Sequence, residues 1–373
     1  MDPKETYQFI DTDAGLRPLL AALGRVKEAA IDTEADNLFR YRTRVCLLQV
    51  LAGGEVFLVD LLAPLDFGPL FRRFAKMHLL MHGSDYDLRL LHDEYGFVAS
   101  SMFDTMLAAQ LLNRQRIGLA SLLHDHFGVA MTKEGQKANW SRRPIAEKLL
   151  DYAVKDVLYL PQLRDQLSAE LESRGRLGWL KEKCDWQIQA SLSGFPQADE
   201  NNWRIGRSEV LSRRGQAVLF DLWHWRESQA ERLDVPPFKV VGNEMLLNLA
   251  RAADRDNPWT IFDEIRLGKR VRLLPSLQAA FRTGLNRDPA TLPRRQRRFP
   301  DRGPLTTDEL DRQERIKRHR DRIATELDLD PTLIASRAQL AQLARDPAKA
   351  GELLLPFQAN LLNGIPDIAQ AAS

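Results

Sequence analysis

Strand-like and helix-like segments alternate through about residue 170 of this chain, and beyond that point the strands stop. Tyr7-Gln8-Phe9-Ile10 reads as a short strand. Asp11, Thr12 and Asp13 offer caps for a helix through Leu20-Ala21-Ala22-Leu23, which Gly24 ends. Lys27 to Ile31 reads as the next strand and delivers Asp32 and Glu34 at its end. Two β-rich runs, 44–50 and 56–60, flank Gly53-Gly54 and predict a hairpin. Then come helix 68–75, strand 78–82, helix 85–94, strand 102–104, and helices over 105–112, 119–126 and 146–167. This order predicts an α/β domain over residues 1–170, its sheet mixing an antiparallel meander with parallel crossovers.

After Arg174-Gly175 helical periodicity takes over. Residues 171–205 read as a connector carrying Trp179, Trp186 and Trp203. Residues 206–285 form a first helical unit, with Leu211, Leu219, Leu222 and Trp225 at helical spacing. Residues 286–305 make a proline-rich basic linker with Arg294, Arg295, Arg297 and Arg298, and residues 306–373 a second helical unit. The two units read as divergent copies. Leu222 to Arg226, Ala230 and Val235-Pro236 recur loosely as Arg318 to Arg322, Ala324 and Leu329-Asp330-Pro331. A repeat of two units means tandem domains, not a solenoid.

A length of 373 residues suits two or three domains. Cys46 and Cys184 are the two cysteines and form no C-x-x-C, so neither a disulfide framework nor a zinc site is expected, which favours a reducing, cytoplasmic setting. The start, Met1-Asp2-Pro3-Lys4-Glu5, is unlike a signal peptide. No apolar run reaches the ~18–20 residues of a membrane span, so no membrane partner is expected.

Four acids carry the chemistry. Asp32 and Glu34 sit at alternate positions of a strand, so both carboxylates point to one face. Alone they read as a solvated strand end. Asp87 falls in the first turn of the helix after His82-Gly83, where Ser84 and Asp87 also resemble a capping box, and Asp85 competes for the same role. Tyr152 and Asp156 are four apart, on one helical face. Here the alternatives are a core aromatic and an acid that is solvated or paired with Lys155. Taken together, Asp32, Glu34, Asp87 and Asp156 predict an acidic nest for two divalent ions ~3.5–4 Å apart, which would activate water and stabilise a leaving oxygen at phosphorus, with Tyr152 orienting the water. Basic and aromatic residues interleave nearby. Phe39, Arg40, Tyr41, Arg42 and Arg44 form one cluster, and Lys133, Lys137, Trp140, Arg142 and Arg143 another, both suited to phosphates and splayed bases. His82, His124 and His126 read as core or surface residues.

The order D-x-E, an Asp after a His-Gly strand end, then Y-x-x-x-D resembles the DEDD exonucleases in their tyrosine form. The words Ile31-Asp32-Thr33-Glu34, Val45-Cys46-Leu47-Leu48-Gln49, Phe103-Asp104-Thr105, Ala109-Gln110-Leu111-Leu112 and Trp140-Ser141-Arg142-Arg143-Pro144 are similar to the ribonuclease D family over residues 7–170. The resemblance implies a ribonuclease H-like α/β exonuclease domain and a 3′→5′ exoribonuclease. It makes Asp32, Glu34, Asp87 and Asp156 metal ligands for two ions, Mg2+ or Mn2+, and Tyr152 the water-orienting residue. Thr33, Phe39, Gln136, Trp140 and Arg143 are the candidate substrate contacts. Ala35 departs from the family, which often has an aromatic there; Phe39 and Tyr41 are the candidates to replace it. The helical units are similar to HRDC (helicase-and-RNase-D C-terminal) domains. The implied substrate is RNA with a free 3′ end, tRNA precursors above all, handled by a monomer. A DNA exonuclease of the same class and a non-catalytic RNA-binding adaptor are the alternatives.

Overall fold

The computed structural model of the chain describes residues 6–131, 135–195, 199–294 and 303–365. Lys133, Arg295, Arg297 and Arg298 lie outside the described residues. Two compact units emerge. One is drawn from Met1–Glu34, Val45–Phe195 and Phe299–Ser373, the other from Ala35–Arg44 and Pro196–Arg298.

The first unit holds the sheet. In chain order it contains β1 (Tyr7–Ile10), α1 (Asp13–Arg25), β2 (Glu28–Ala35), β3 (Val45–Ala52), β4 (Glu55–Asp60), α2 (Gly68–Phe74), β5 (His78–Met81), α3 (Asp85–Tyr95), β6 (Ser101–Asp104), α4 (Thr105–Leu111), α5 (Leu119–Phe127), α6 (Glu147–Leu158), α7 (Leu160–Ser173) and α8 (Leu177–Ser191). The sheet runs β1-β4-β3-β2-β5-β6. β3 and β4 pair antiparallel, while β1 with β4, β2 with β5 and β5 with β6 pair parallel. The expected mixed sheet is therefore present, with β2 inside it. Gly53 and Gly54 make the hairpin turn at φ +61° and +84°, a conformation that glycine adopts without strain. β3 is buried along its whole length, as befits a strand covered by α6.

Three expectations need correction. The helix over 146–167 is two helices, because Pro161 in the first turn of α7 lacks an amide donor and its ring opposes continuation from α6. The middle of the expected connector, 171–205, is α8, which packs on β6 and α3 within the first unit. Trp179 stacks on Phe357 at 5.1 Å, Trp186 is exposed, and Trp203 is buried in the second unit's core. The C-terminal helices belong to the first compact unit.

The second unit contains α9 (Arg213–Leu233), α10 (Pro237–Val240), α11 (Asn243–Ala252), α12 (Ile261–Glu264) and α13 (Leu274–Asn286). Leu222, Leu246, Leu277 and Phe281 fill its core. Residues 35–44 join this unit: Arg40 pairs with Asp234 at 2.5 Å, and the Tyr41 amide donates to Asp234 at 3.3 Å.

Beyond it come α14 (Thr307–Glu326), α15 (Arg337–Arg345), α16 (Ala350–Leu353) and α17 (Pro356–Leu362). They close over Ile316, Ile334, Leu343 and Leu362. Asn113 and Arg174 reach Asp328 at 2.8 and 3.3 Å, and Arg176 donates to the carbonyls of Leu111 and Leu327. Buried Arg226 and buried Arg320 each donate to a carbonyl 15 residues on, that of Val241 and of Ala335. Each long helix is followed by a left-handed aspartate, Asp234 at φ +48° and Asp328 at φ +49°. Among the described residues no helix is long and apolar enough to cross a membrane.

A close approach in the second unit gives a test. A Cβ on Gly284 would lie 2.6 Å from the Cα of Val218, so α13 sits on α9 with no room for a methyl group. Gly284→Ala is expected to destabilise this unit by about 1–3 kcal/mol, read as a lower urea midpoint in tryptophan fluorescence.

Candidate active site

β2 delivers its carboxylates near its C-terminal end, the end at which open α/β sheets present their ligand sites. Asp32 and Glu34 project together, and α6 brings Asp156 to them. One carboxylate oxygen from each lies within 4.8 Å of the others. Asp32 and Glu34 are half-buried, and Asp156 is buried with its Oδ2 lacking any protein partner. Lys155 is not paired with Asp156 among the ion pairs of the described residues.

Asp87 completes the set electrostatically. It is not one of the three converging acids, but its charge acts on all of them. Its Oδ1 accepts from the Thr33 hydroxyl. Asp85 is exposed and pairs with Arg89 at 3.0 Å, which removes it as a competitor. The capping-box alternative also falls away: Ser84 precedes α3 in a helical conformation and its side chain caps nothing.

Crowding shifts every acid upward. Burial raises Asp32 well above the carboxylate range, and the charges of Asp156, Asp87 and Glu34 add to it. Burial, then Asp156 and Asp87, raise Glu34; burial, then Asp87, raise Asp156. Asp87 is pushed up to about 7, chiefly by burial and against the Thr33 hydrogen bond. The Tyr152 hydroxyl is raised by burial and then by Asp156, Glu34 and Asp32, so it stays protonated beside the acids. A site made of oxygen donors alone, crowded and with one orphaned buried oxygen, fits a hard divalent cation such as Mg2+ or Mn2+.

The residues expected to touch substrate divide. Gln136 is exposed on the short turn Gly135–Lys137. Phe39 lies under the Lys239 ammonium at 4.1 Å in the second unit, and Tyr41 packs on that unit's core. Thr33 is 9% exposed and serves Asp87. Trp140 is 2% exposed, donates to the Gly135 carbonyl and packs beside Tyr152, so no base can stack on it as it stands. Arg143 donates to Asp60 through Nε and Nη2, with Nη2 also reaching the Cys46 carbonyl and Nη1 the Trp140 carbonyl, so its charge is met inside the protein. Both serve as internal supports. Sequence reasoning missed Asp104, treated below; an aspartate between a strand and a helix is the signal that was available.

Comparison with known proteins places this geometry. Residues 7–172 match a family model described as a 3′-5′ exonuclease, and residues 215–257 match the HRDC domain. A ribonuclease D from Gluconacetobacter diazotrophicus is 30% identical over 252 residues, 66% of this chain and 64% of that protein, so the aligned stretch spans just under two thirds of that relative. Ribonuclease D of Xanthomonas oryzae is 28% identical over 343 residues, 88% of this chain and 90% of that one. Escherichia coli RNase D superposes with a TM-score of 0.69 at 25% identity, covering 97% of this chain and 100% of that chain. A protein from Bifidobacterium adolescentis shares the fold, with a TM-score of 0.80 at 23% identity over 98% and 96% of the two chains. Residues 7–172 are therefore similar to 3′-5′ exonuclease domains. Beyond that domain, the chain is similar to ribonuclease D over the stretches given above.

The raised acids make a prediction for the cation-free chain. A carboxylate whose folded pKa exceeds its unfolded value near 4 destabilises the fold once ionised. For Asp87 that loss sets in above pH ~4 and is complete above about 7. In EDTA the thermal midpoint should therefore fall between pH 5 and pH 8, and fall less in Asp32→Asn. Mg2+ should raise the midpoint more at pH 8 than at pH 5, as scanning calorimetry would show.

Proposed function

We propose that this chain is a 3′→5′ exoribonuclease that hydrolyses terminal phosphodiester bonds and releases 5′-mononucleotides. The observation that carries the reading is the meeting of Asp32, Glu34 and Asp156 within 4.8 Å inside a 3′-5′ exonuclease domain. Escherichia coli RNase D is described as an exoribonuclease involved in structured RNA processing. We extend that substrate class to this chain: structured RNA with a free 3′ end, tRNA precursors foremost, trimmed by a cytoplasmic monomer.

Asp32, Glu34, Asp87 and Asp156 would hold two divalent cations, Mg2+ or Mn2+. When bound, such ions supply Lewis-acid activation of the nucleophile and stabilisation of the departing oxygen. The chain's own residues do the rest. The four carboxylates give up their protons and fix the ligand oxygens, Asp156 through an oxygen that no protein group claims. Thr33 engages Oδ1 of Asp87. Tyr152, kept protonated by the acids around it, donates its hydroxyl hydrogen to the attacking water and sets its direction. This is the tyrosine form of the site. Gln136 is the substrate contact we retain, because its side chain is open to solvent.

The helices α14 to α17 form a second HRDC-like module in this reading. The support is the matching of Arg226 with Arg320 and of Asp234 with Asp328.

Asp32→Asn and Asp156→Asn are each expected to abolish Mg2+-dependent nucleotide release from a 3′-extended tRNA while leaving RNA binding within about twofold. Full activity in either variant would end the proposal. Tyr152→Phe should slow release by roughly 10²-fold without stopping it, the loss typical of one positioned hydrogen-bond donor. Matched RNA and DNA oligonucleotides test the sugar preference, and faster DNA cleavage would point to the alternative DNA exonuclease.

A further inference from the structure

Asp104 is a carboxylate with 0% exposure that the reaction above does not use. It closes β6 and caps α4, where its Oδ1 accepts from the amides of Met106 at 2.8 Å and Leu107 at 3.2 Å. Those two bonds account for a helix cap. Four more donors converge on the same group. The Gly83 amide reaches Oδ1 at 3.0 Å, while the Ser84 amide and Ser84 hydroxyl each reach Oδ2 at 2.8 Å. The fourth is Gln187 of α8, whose Nε2 lies 2.6 Å from the Ser84 hydroxyl oxygen and 3.2 Å from Asp104 Oδ2.

All four belong to or press on one turn, the link from β5 to α3. Gly83 makes it at φ +68°, with the Met106 methyl 3.1 Å from where a Cβ would stand. The Ser84 carbonyl accepts from the Leu88 amide at 2.9 Å, the first bond of α3. Asp87 sits inside that bonded turn, and Thr33 meets it from β2. The turn is therefore fixed at one end by Asp104 and at the other by Thr33.

We infer that Asp104, seconded by Ser84 and Gln187, is a positioning residue for the divalent-cation site: it anchors the first turn of α3 so that Asp87 faces Asp32, Glu34 and Asp156. The charge matters as well as the shape. An asparagine of the same size offers one acceptor oxygen, and its NH2 group would confront donors that now end on the second oxygen. The inference rests on the reading of the four acids as cation ligands, and the test separates the two.

The test is Mn2+ titration of the full chain without RNA, followed by calorimetry. Asp104→Asn should weaken Mn2+ binding about 10- to 100-fold, the range seen when groups that orient metal ligands are removed. RNA binding in EDTA should not change. In an Asp87→Asn background the same substitution should alter Mn2+ affinity less than twofold, because the residue it positions is already disabled. Unchanged Mn2+ affinity in folded Asp104→Asn overturns the inference, as does an equal loss in both backgrounds, which would mark general loosening. Should Asp104→Asn fail to fold, Ser84→Ala deletes one donor to the same carboxylate and is read in the same two backgrounds, with a few-fold loss expected only where Asp87 is intact. Failure of the unaltered chain to bind Mn2+ would instead refute the cation site itself.

Discussion

Carboxylates repel, and this domain holds several within a few ångströms of one another. The fold tolerates that repulsion because each acid is fixed by a different rigid element. β2 sits inside the sheet, α6 lies over the covered strand β3, and α3 begins at a turn tied to β6. No single element could relax without carrying its core contacts with it. The raised pKa values of Asp32, Glu34 and Asp156 express the energy stored there. Such energy is recovered when cations arrive, which is why perturbed acids in a cleft point to a functional site more strongly than acids on an open surface.

Much of this was legible in the amino acids. Alternation placed Asp32 and Glu34 on one face of β2, and the i,i+4 spacing placed Tyr152 and Asp156 on one face of α6. Two adjacent glycines announced the β3–β4 hairpin. Local rules suffice in these cases because each relation spans only a few residues. What escaped was long-range. Pairing of Asp104 with Ser84 crosses 20 residues and with Gln187 crosses 83, and neither distance has a periodic signature. Ser84 looked like a cap because serine before a helix usually is one; a buried carboxylate outbid the helix amides for its hydroxyl.

Trp140 and Arg143 show how burial changes what a residue type offers. A tryptophan near two arginines suggests a stacking and phosphate-binding surface, and composition alone supports that expectation. Burial reverses it. The indole finds its partner at Gly135, and the guanidinium is consumed by Asp60 and two carbonyls. Trp140 in turn packs beside the Tyr152 ring. The partition of the chain was likewise hidden. Helical periodicity marks the C-terminal helices as one module, but says nothing about which surface they adopt.

The loop that leaves β2 carries one more consequence. Residues 35–44 are bracketed in sequence by strands of the sheet, yet their partners Glu231, Asp234 and Lys239 come from the helical unit about two hundred positions later. An excised fragment ending at residue 172 would thus retain Phe39, Arg40 and Tyr41 while losing what they pack upon. The boundary that a family comparison suggests is not a place where this polypeptide can be cut cleanly.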